Sequence, residues 1–303
     1  MSKTAKQTYY NSDVYKSVEG RHLLHELYRK LLMETDVPVA ETMVETTFGD
    51  THVTLFGNPE GKPVMTFYGE NVIGTLLLRP FLHGLDLKRI RLVVPDPPGC
   101  IGFSTGQRIS SSQNDYGKWI CQVMDRLGIM QSPVFGYSFG AGIALQLCRT
   151  SILRIERLLL VAPSGIISPL SQRIARLLSP AHKEAAAITD DLIKTTLASF
   201  IPFPPDDLIA AAKLIYTHAN ITKPSGKTYG YNVLHKLNAP VYIVAEKSDG
   251  LFPGEKLLKL AKKRFPRVSK TFLFNAGSQL SLLGDAKAPP DYYAAMTDFL
   301  LET

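Results

Sequence analysis

From Val14 to Thr35, apolar residues return at Val18, Leu23, Leu24, Leu27, Leu31 and Leu32, the three-to-four-residue spacing that gives a helix one oily stripe. The pattern predicts an amphipathic helix that packs on the rest of the chain. Two short strand-like runs follow, Thr42–Thr47 and Thr51–Phe56, with Gly49 and Asp50 between them as turn residues; together they predict an antiparallel hairpin. Then the period changes. VMTFYG (Val64–Gly69), IRLVVPD (Ile90–Asp96), PVFGYS (Pro133–Ser138), RLLLVAP (Arg157–Pro163), VYIVAE (Val241–Glu246) and KTFLFN (Lys270–Asn275) are continuous apolar runs spaced by helix-length segments. A strand is apolar at successive positions when both of its faces are covered, so these runs predict parallel strands between helices, an α/β architecture.

Between Ser164 and about Lys236 the alternation stops. Helical stretches around Gln172–Leu178, Asp190–Phe200 and Leu208–Ala219 are broken by Pro180, Pro202, Pro204 and Pro205, which predicts an inserted helical cap over the carboxyl ends of the strands, where open α/β sheets bind ligands. The expected organisation is an N-terminal helical extension over 1–37, core over 38–163, cap over 164–236, and the rest of the core over 237–303.

With 303 residues, 45% of them hydrophobic and 20% charged, and mean hydropathy near zero, the chain is long enough to bury a sizeable interior. Met1–Ser12 is polar and no run approaches the ~18 apolar residues of a membrane span, so a cytoplasmic location without membrane insertion is expected. Cys100, Cys121 and Cys148 are widely spaced and lack metal-ligand spacing, which predicts buried thiols and neither a disulfide framework nor a metal site. The net charge of +7 concentrates in Lys256, Lys259, Lys262, Lys263, Arg264, Arg267 and Lys270. Leu257, Leu260, Ala261 and Phe265 recur among them at helical spacing, predicting an amphipathic helix with a solvated basic face. No recognition motif accompanies that charge, and no nucleic-acid partner is expected.

The strongest chemical signal is Gly136-Tyr137-Ser138-Phe139-Gly140, directly after an apolar strand and directly before the small-residue stretch Ala141-Gly142-Ile143-Ala144. A G-x-S-x-G turn in that setting lifts the serine onto a sharp bend above the sheet. Two further stretches match the same pattern of proteins: DPPGCIGFS (Asp96–Ser104) and YIVAEKSDGLFP (Tyr242–Pro253). On these residues the chain resembles the α/β-hydrolase superfamily, as an esterase-like member with a helical cap. The resemblance implies a mostly parallel eight-stranded sheet with helices on both faces. It also implies Ser138 as nucleophile, Asp249 as the acid, and the amides of Phe139 and Glu70 as the oxyanion hole, with Tyr68, Asn71 and Tyr137 at the ligand. Where such proteins carry His-Gly after the third strand, this chain has Tyr68-Gly69 followed by Glu70. Glu70 is either a rim residue or a new acid/base group.

After the last strand the family histidine is absent. Asn275-Ala276-Gly277-Ser278-Gln279-Leu280-Ser281 places either Ser278 or Leu280 at its position. Neither is a base, and a serine hydroxyl without one is a poor nucleophile near neutral pH. Of the seven histidines, His22, His25, His52, His83 and His235 fall on segments away from the elbow, and only His182 and His218 of the cap have a route to Ser138. Three readings follow: an enzyme of lyase, isomerase or cyclase type acting on a small, mainly apolar ligand; a serine ester hydrolase using a substitute base; and a non-catalytic ligand-binding protein. No cofactor is implied, since no phosphate-cradling glycine loop or ligand cluster is present.

Overall fold

In the computed structural model, residues 14–109, 114–198, 201, 203–222, 227–275, 288 and 291–302 are described. The described residues begin at Val14, with an isolated bridge at Tyr15, and lead into helix α1 (Val18–Met33), capped by the Ser17 hydroxyl, which accepts from the Gly20 amide. Val14 and Tyr15 therefore lie outside the helix that the apolar spacing predicts, and Tyr15 instead forms an antiparallel bridge with Ala219.

Strands β1 (Val39–Thr46) and β2 (Gly49–Gly57) form the expected hairpin, but its turn is Thr47-Phe48 and not Gly49-Asp50, because Thr46 pairs with Gly49. The Thr46 hydroxyl closes that turn, donating to the Gly49 carbonyl and accepting from the Phe48 amide. After β3 (Lys62–Phe67), α2 (Gly74–Gly84) and β4 (Ile90–Pro95) come α3 (Asp115–Arg126), β5 (Ser132–Tyr137), α4 (Phe139–Ala144), α5 (Leu147–Thr150) and β6 (Ile155–Val161). Among the described residues the α-helices α6 (Ser171–Leu178), α7 (Asp190–Leu197), α8 (Asp206–His218) and α9 (Tyr231–Leu234) lie between β6 and β7 (Val241–Glu246). Helix α10 (Gly254–Arg264), β8 (Val268–Phe274) and α11 (Tyr292–Leu301) complete the described chain.

The strands form one eight-stranded sheet in the order β1-β2-β4-β3-β5-β6-β7-β8. Pairing is antiparallel through β1, β2 and β4 and parallel from β4 onward, which is the α/β-hydrolase architecture the sequence predicts. Every residue of β5 and β7 is buried, as strands covered on both faces require, whereas the edge strand β8 is largely exposed. Helix α10 turns Lys256, Lys259, Lys262 and Lys263 to solvent. One of the basic residues departs from the solvated-face expectation: Arg264 is half-buried and donates to the carbonyls of Ile166 and Tyr229; Lys270 lies in β8 and not in the helix, is exposed, and sits 5.0 Å from the centre of the Tyr242 ring. Among the described residues no helix is long and apolar enough to cross a membrane.

Beneath the hairpin sits a buried polar knot on Asp96. Its carboxylate accepts from Tyr28 at 2.9 Å, Tyr68 at 2.6 Å and the Phe103 amide at 3.0 Å, and pairs with His52 Nδ1 at 2.9 Å. Four bonds on one carboxylate join α1, β2, the end of β3 and the loop after β4.

Candidate active site

Only one residue, Ser138, separates the end of β5 from the start of α4. Its backbone lies at φ +54°, ψ −124°, a left-handed setting that costs a non-glycine residue about 1–3 kcal/mol. The surroundings impose it. Its amide donates to the Val161 carbonyl at 2.9 Å and its carbonyl accepts from the Ser164 amide at 3.1 Å, locking the bend to the end of β6. Gly140 lies against the backbone of Phe67 and Tyr68, where any Cβ would overlap. That close approach sets the loop after β3 beside the serine.

Above Ser138 opens a cavity of about 170 Å³. Gly69, Glu70, Ser138 and Phe139 form its floor; Val72, Leu76 and Leu77 from α2 and the loop before it form one side. The helices between β6 and β7 contribute Leu177, Leu178, Leu197, Leu208, Ala212, Ile215 and Tyr216, and Ile201, Ile221 and Leu251 also line it. Glu70 is not the rim residue that was one expectation from sequence: it is 2% exposed, and its Oε1 accepts the Tyr116 hydroxyl at 2.6 Å. Burial pushes the nearby Cys100 thiol well above its ordinary range, with the Glu70 charge adding to the rise and Arg108 opposing it. The carboxyl and the guanidinium thus surround one thiol.

Asn71 also lines the cavity, but its amide is committed to the wall. It donates to the Thr222 carbonyl at 2.7 Å, and its oxygen accepts from the Thr222 amide and Arg108 Nη1, each at 3.3 Å. Arg108 Nη1 reaches Thr222 Oγ1 at 2.6 Å. Two expected ligand contacts are corrected. Tyr68 is fully buried with its hydroxyl held by Asp96, and Tyr137 packs edge-on against Phe81 with ring centres 4.9 Å apart. Neither belongs to the cavity wall. Each ring is held in the core, Tyr68 by a carboxylate partner and Tyr137 by an aromatic one.

Asp249 lies after β7 and is 4% exposed. Its Oδ1 accepts the amides of Leu251 at 2.7 Å and Phe252 at 2.9 Å, while Oδ2 is buried without a hydrogen-bond partner among the described residues. Burial lifts its carboxyl to about 6, against those two amide bonds, and the Glu246 charge adds to the rise. The Phe252 ring meets Phe139 edge-on at 5.5 Å, so the Asp249 loop packs directly on the serine bend.

Ser278 and Leu280, the two candidates for the histidine's position, lie outside the described residues. All seven histidines are described, and none lines the cavity. His218, one of the two with a route to Ser138, packs its ring against Gly20 of α1, and His182 is exposed. His52 bridges Asp96 and Glu41. Sequence reasoning missed Tyr116, Arg108 and Thr222 around Glu70. They come from three distant segments, and no local motif marks them.

A strained serine on a strand-to-helix bend, with a loop after β3 and a buried carboxylate after β7 packed beside it, defines an α/β-hydrolase-type site. The sequence profile of the alpha/beta hydrolase family matches residues 74–294, and the chain belongs to that family. Among curated proteins it is 30% identical over 115 residues to a 2-hydroxymuconate semialdehyde hydrolase of Pseudomonas sp. (strain CF600), a match covering 37% of this chain and 40% of that relative. Less than half of that relative's length is therefore spanned. Among solved structures, carboxylesterase CesB (YbfK) of Bacillus subtilis superposes with a TM-score of 0.77 at 16% identity, covering 94% of this chain and 99% of the other. The 2-hydroxy-6-oxo-6-phenylhexa-2,4-dienoate hydrolase of Rhodococcus sp. strain RHA1 gives 0.62 at 17% identity, covering 88% and 98%. At such identities these two structures establish a shared fold.

Proposed function

We propose that this protein is an enzyme whose helices between β6 and β7 act as a cap over a small, mainly apolar ligand. In this reading Glu70, and not a histidine, handles the proton. The observation that carries it is the composition of the cavity wall: none of the seven histidines lines it, while Glu70, a buried acidic residue, is among its lining residues. A base must lie within hydrogen-bond reach of the proton it takes, and Glu70 is among the residues that line the ligand space. The chemistry that suits this set is proton removal and return within one molecule, as in an elimination, isomerisation or ring closure. Ser138 and the amides of Phe139 and Glu70 would steady negative charge on a ligand oxygen, and the close-fitting wall would hold the reacting conformation.

A second reading is favoured by the preserved strain at Ser138 (φ +54°) and by relatives named as a semialdehyde hydrolase and a carboxylesterase. In it Ser138 attacks an ester or related acyl compound, with Glu70 taking the hydroxyl proton. The two readings part on the reactivity of that hydroxyl. When a triad member is lost, only about 10³–10⁴-fold rate enhancement over water remains. A fluorophosphonate probe should therefore leave Ser138 unlabelled under conditions that saturate an intact triad enzyme, while mass spectrometry of the purified protein finds a bound apolar metabolite. Rapid labelling that disappears in Ser138→Ala would replace the first reading with the second.

A further inference from the structure

Helix α8 gives the Ser138 cavity one stripe of its surface. Leu208, Ala212 and Ile215 all line the space, four and then three residues apart, the spacing that sets side chains on one side of a helix. Ala212 is the odd member. Among the described residues it is the only alanine of the wall, whereas every other aliphatic side chain there, from Val72 to Leu251, carries three or four carbons. The stripe therefore has a notch at its middle, one methyl group deep where its neighbours Leu208 and Ile215 extend four carbons each.

The polar residues of the wall are largely answered by the protein itself. Asn71 is bonded to Thr222 and Arg108, the Tyr216 hydroxyl donates to the Leu177 carbonyl at 2.7 Å, and Glu70 Oε1 accepts the Tyr116 hydroxyl at 2.6 Å. The body of a ligand meets carbon, and its volume decides whether it enters. An apolar cavity of about 150 Å³ takes a benzene-sized ring, and this one measures about 170 Å³. Burying one more methylene raises affinity roughly fourfold while room remains. Once the space is full the wall has to move, which a close-packed interior resists. We infer, on the footing of the capped apolar cavity proposed above, that Ala212 sets the size limit of the ligand: the notch admits one compact ring with a short arm, and bodies of two full rings are turned away.

Toluene, ethylbenzene and biphenyl, titrated calorimetrically into the full chain, test this. Ethylbenzene should bind roughly fourfold more tightly than toluene, by its one extra methylene. Biphenyl, the oiliest of the three, should nevertheless bind at least about tenfold more weakly than ethylbenzene, an order that hydrophobicity alone reverses. Ala212→Leu puts three further carbons into the notch and should weaken ethylbenzene by about tenfold or more, with Ala212→Val falling between that variant and the parent. Biphenyl binding the parent more tightly than ethylbenzene overturns the size limit, and ethylbenzene binding unchanged in Ala212→Leu overturns the part given to Ala212. If Ala212→Leu fails to fold, Ala212→Val and the parent's own order decide. Absence of binding by all three would remove the capped apolar cavity itself and this inference with it, whereas a reversed order sinks the inference alone. Binding needs no turnover, so fluorophosphonate labelling of Ser138 would displace the reaction class proposed above without touching this order.

Discussion

Asp249 is held at one oxygen and, among the described residues, has no hydrogen-bond partner at the other. Its carboxyl stands at about 6 in the folded protein against an ordinary 3.8, so the native state holds the proton more tightly than the unfolded chain. Stability is therefore highest below pH 4 as far as this group is concerned, falls as pH rises from about 4 to about 6, and stays lower above that. By linkage the full loss is roughly 3 kcal/mol, at ~1.4 kcal/mol per pH unit. Asp249→Asn keeps the oxygen that the Leu251 and Phe252 amides need and removes the charge. Denaturant unfolding should find it more stable than the parent by about 1–3 kcal/mol at pH 8, with the gap closing near pH 4. A variant weaker than the parent at pH 8 would contradict a bare, buried charge. At this scale the motifs around Ser138 and Asp249 foretold the bend and the loop on which each sits, because their neighbours dictate that geometry. Glu70 was left open between a rim residue and a new acid/base group, since its environment depends on Tyr116, 46 residues away. Tyr68 and Tyr137 were misplaced because adjacency in sequence to a loop or an elbow does not fix where a side chain points.

Between elements, the strongest polar joint is Asp96, where two tyrosine hydroxyls, an imidazole and an amide meet one carboxylate. Burial alone would lower the His52 pKa, but Asp96 and Glu41 outweigh it and the net direction is upward. Removing Asp96 strands three buried partners at once, and breaking a buried pair from one side costs about 3–5 kcal/mol. Chemical denaturation of Asp96→Ala should show a loss of that order, whereas Tyr68→Phe, which deletes one bond, should lose about 1–2 kcal/mol. Equal losses in the two variants would argue against a shared hub. Strands and helices with unbroken apolar runs were legible from sequence to within a few residues, since burial on two faces leaves a run that nothing else imitates. The hairpin turn was misjudged because a threonine side chain closes it, and Gly49, φ +113°, serves the end of the strand. The hub itself was invisible, as its members come from Tyr28, His52, Tyr68, Asp96 and Phe103, spread over several elements.

For the molecule as a whole, the segment before α1 ties the cavity wall to the core. The Lys16 amide donates to the His218 carbonyl at 2.9 Å, the Asn220 amide to the Val14 carbonyl at 2.8 Å, and Lys16 Nζ to the Tyr216 carbonyl at 2.8 Å. Tyr15 meanwhile donates to the Gly102 carbonyl at 2.9 Å in the loop after β4. Helix α8, which carries Leu208, Ala212, Ile215 and Tyr216 of the wall, is thus clamped from outside. Deleting residues 1–17 should leave the sheet folded but raise amide hydrogen exchange across α8 selectively. Uniform exchange throughout the chain, or none gained in α8, would argue against a local clamp.

The same clamp joins residues 200 positions apart, and a ribosome working at ~5–20 residues per second takes about 10–40 seconds to span that distance. During that interval α1 has left the exit tunnel while α8 does not yet exist. The oily stripe on α1, Leu24, Tyr28, Leu31 and Leu32 in the finished protein, therefore waits until α8, which packs on α1, has been made.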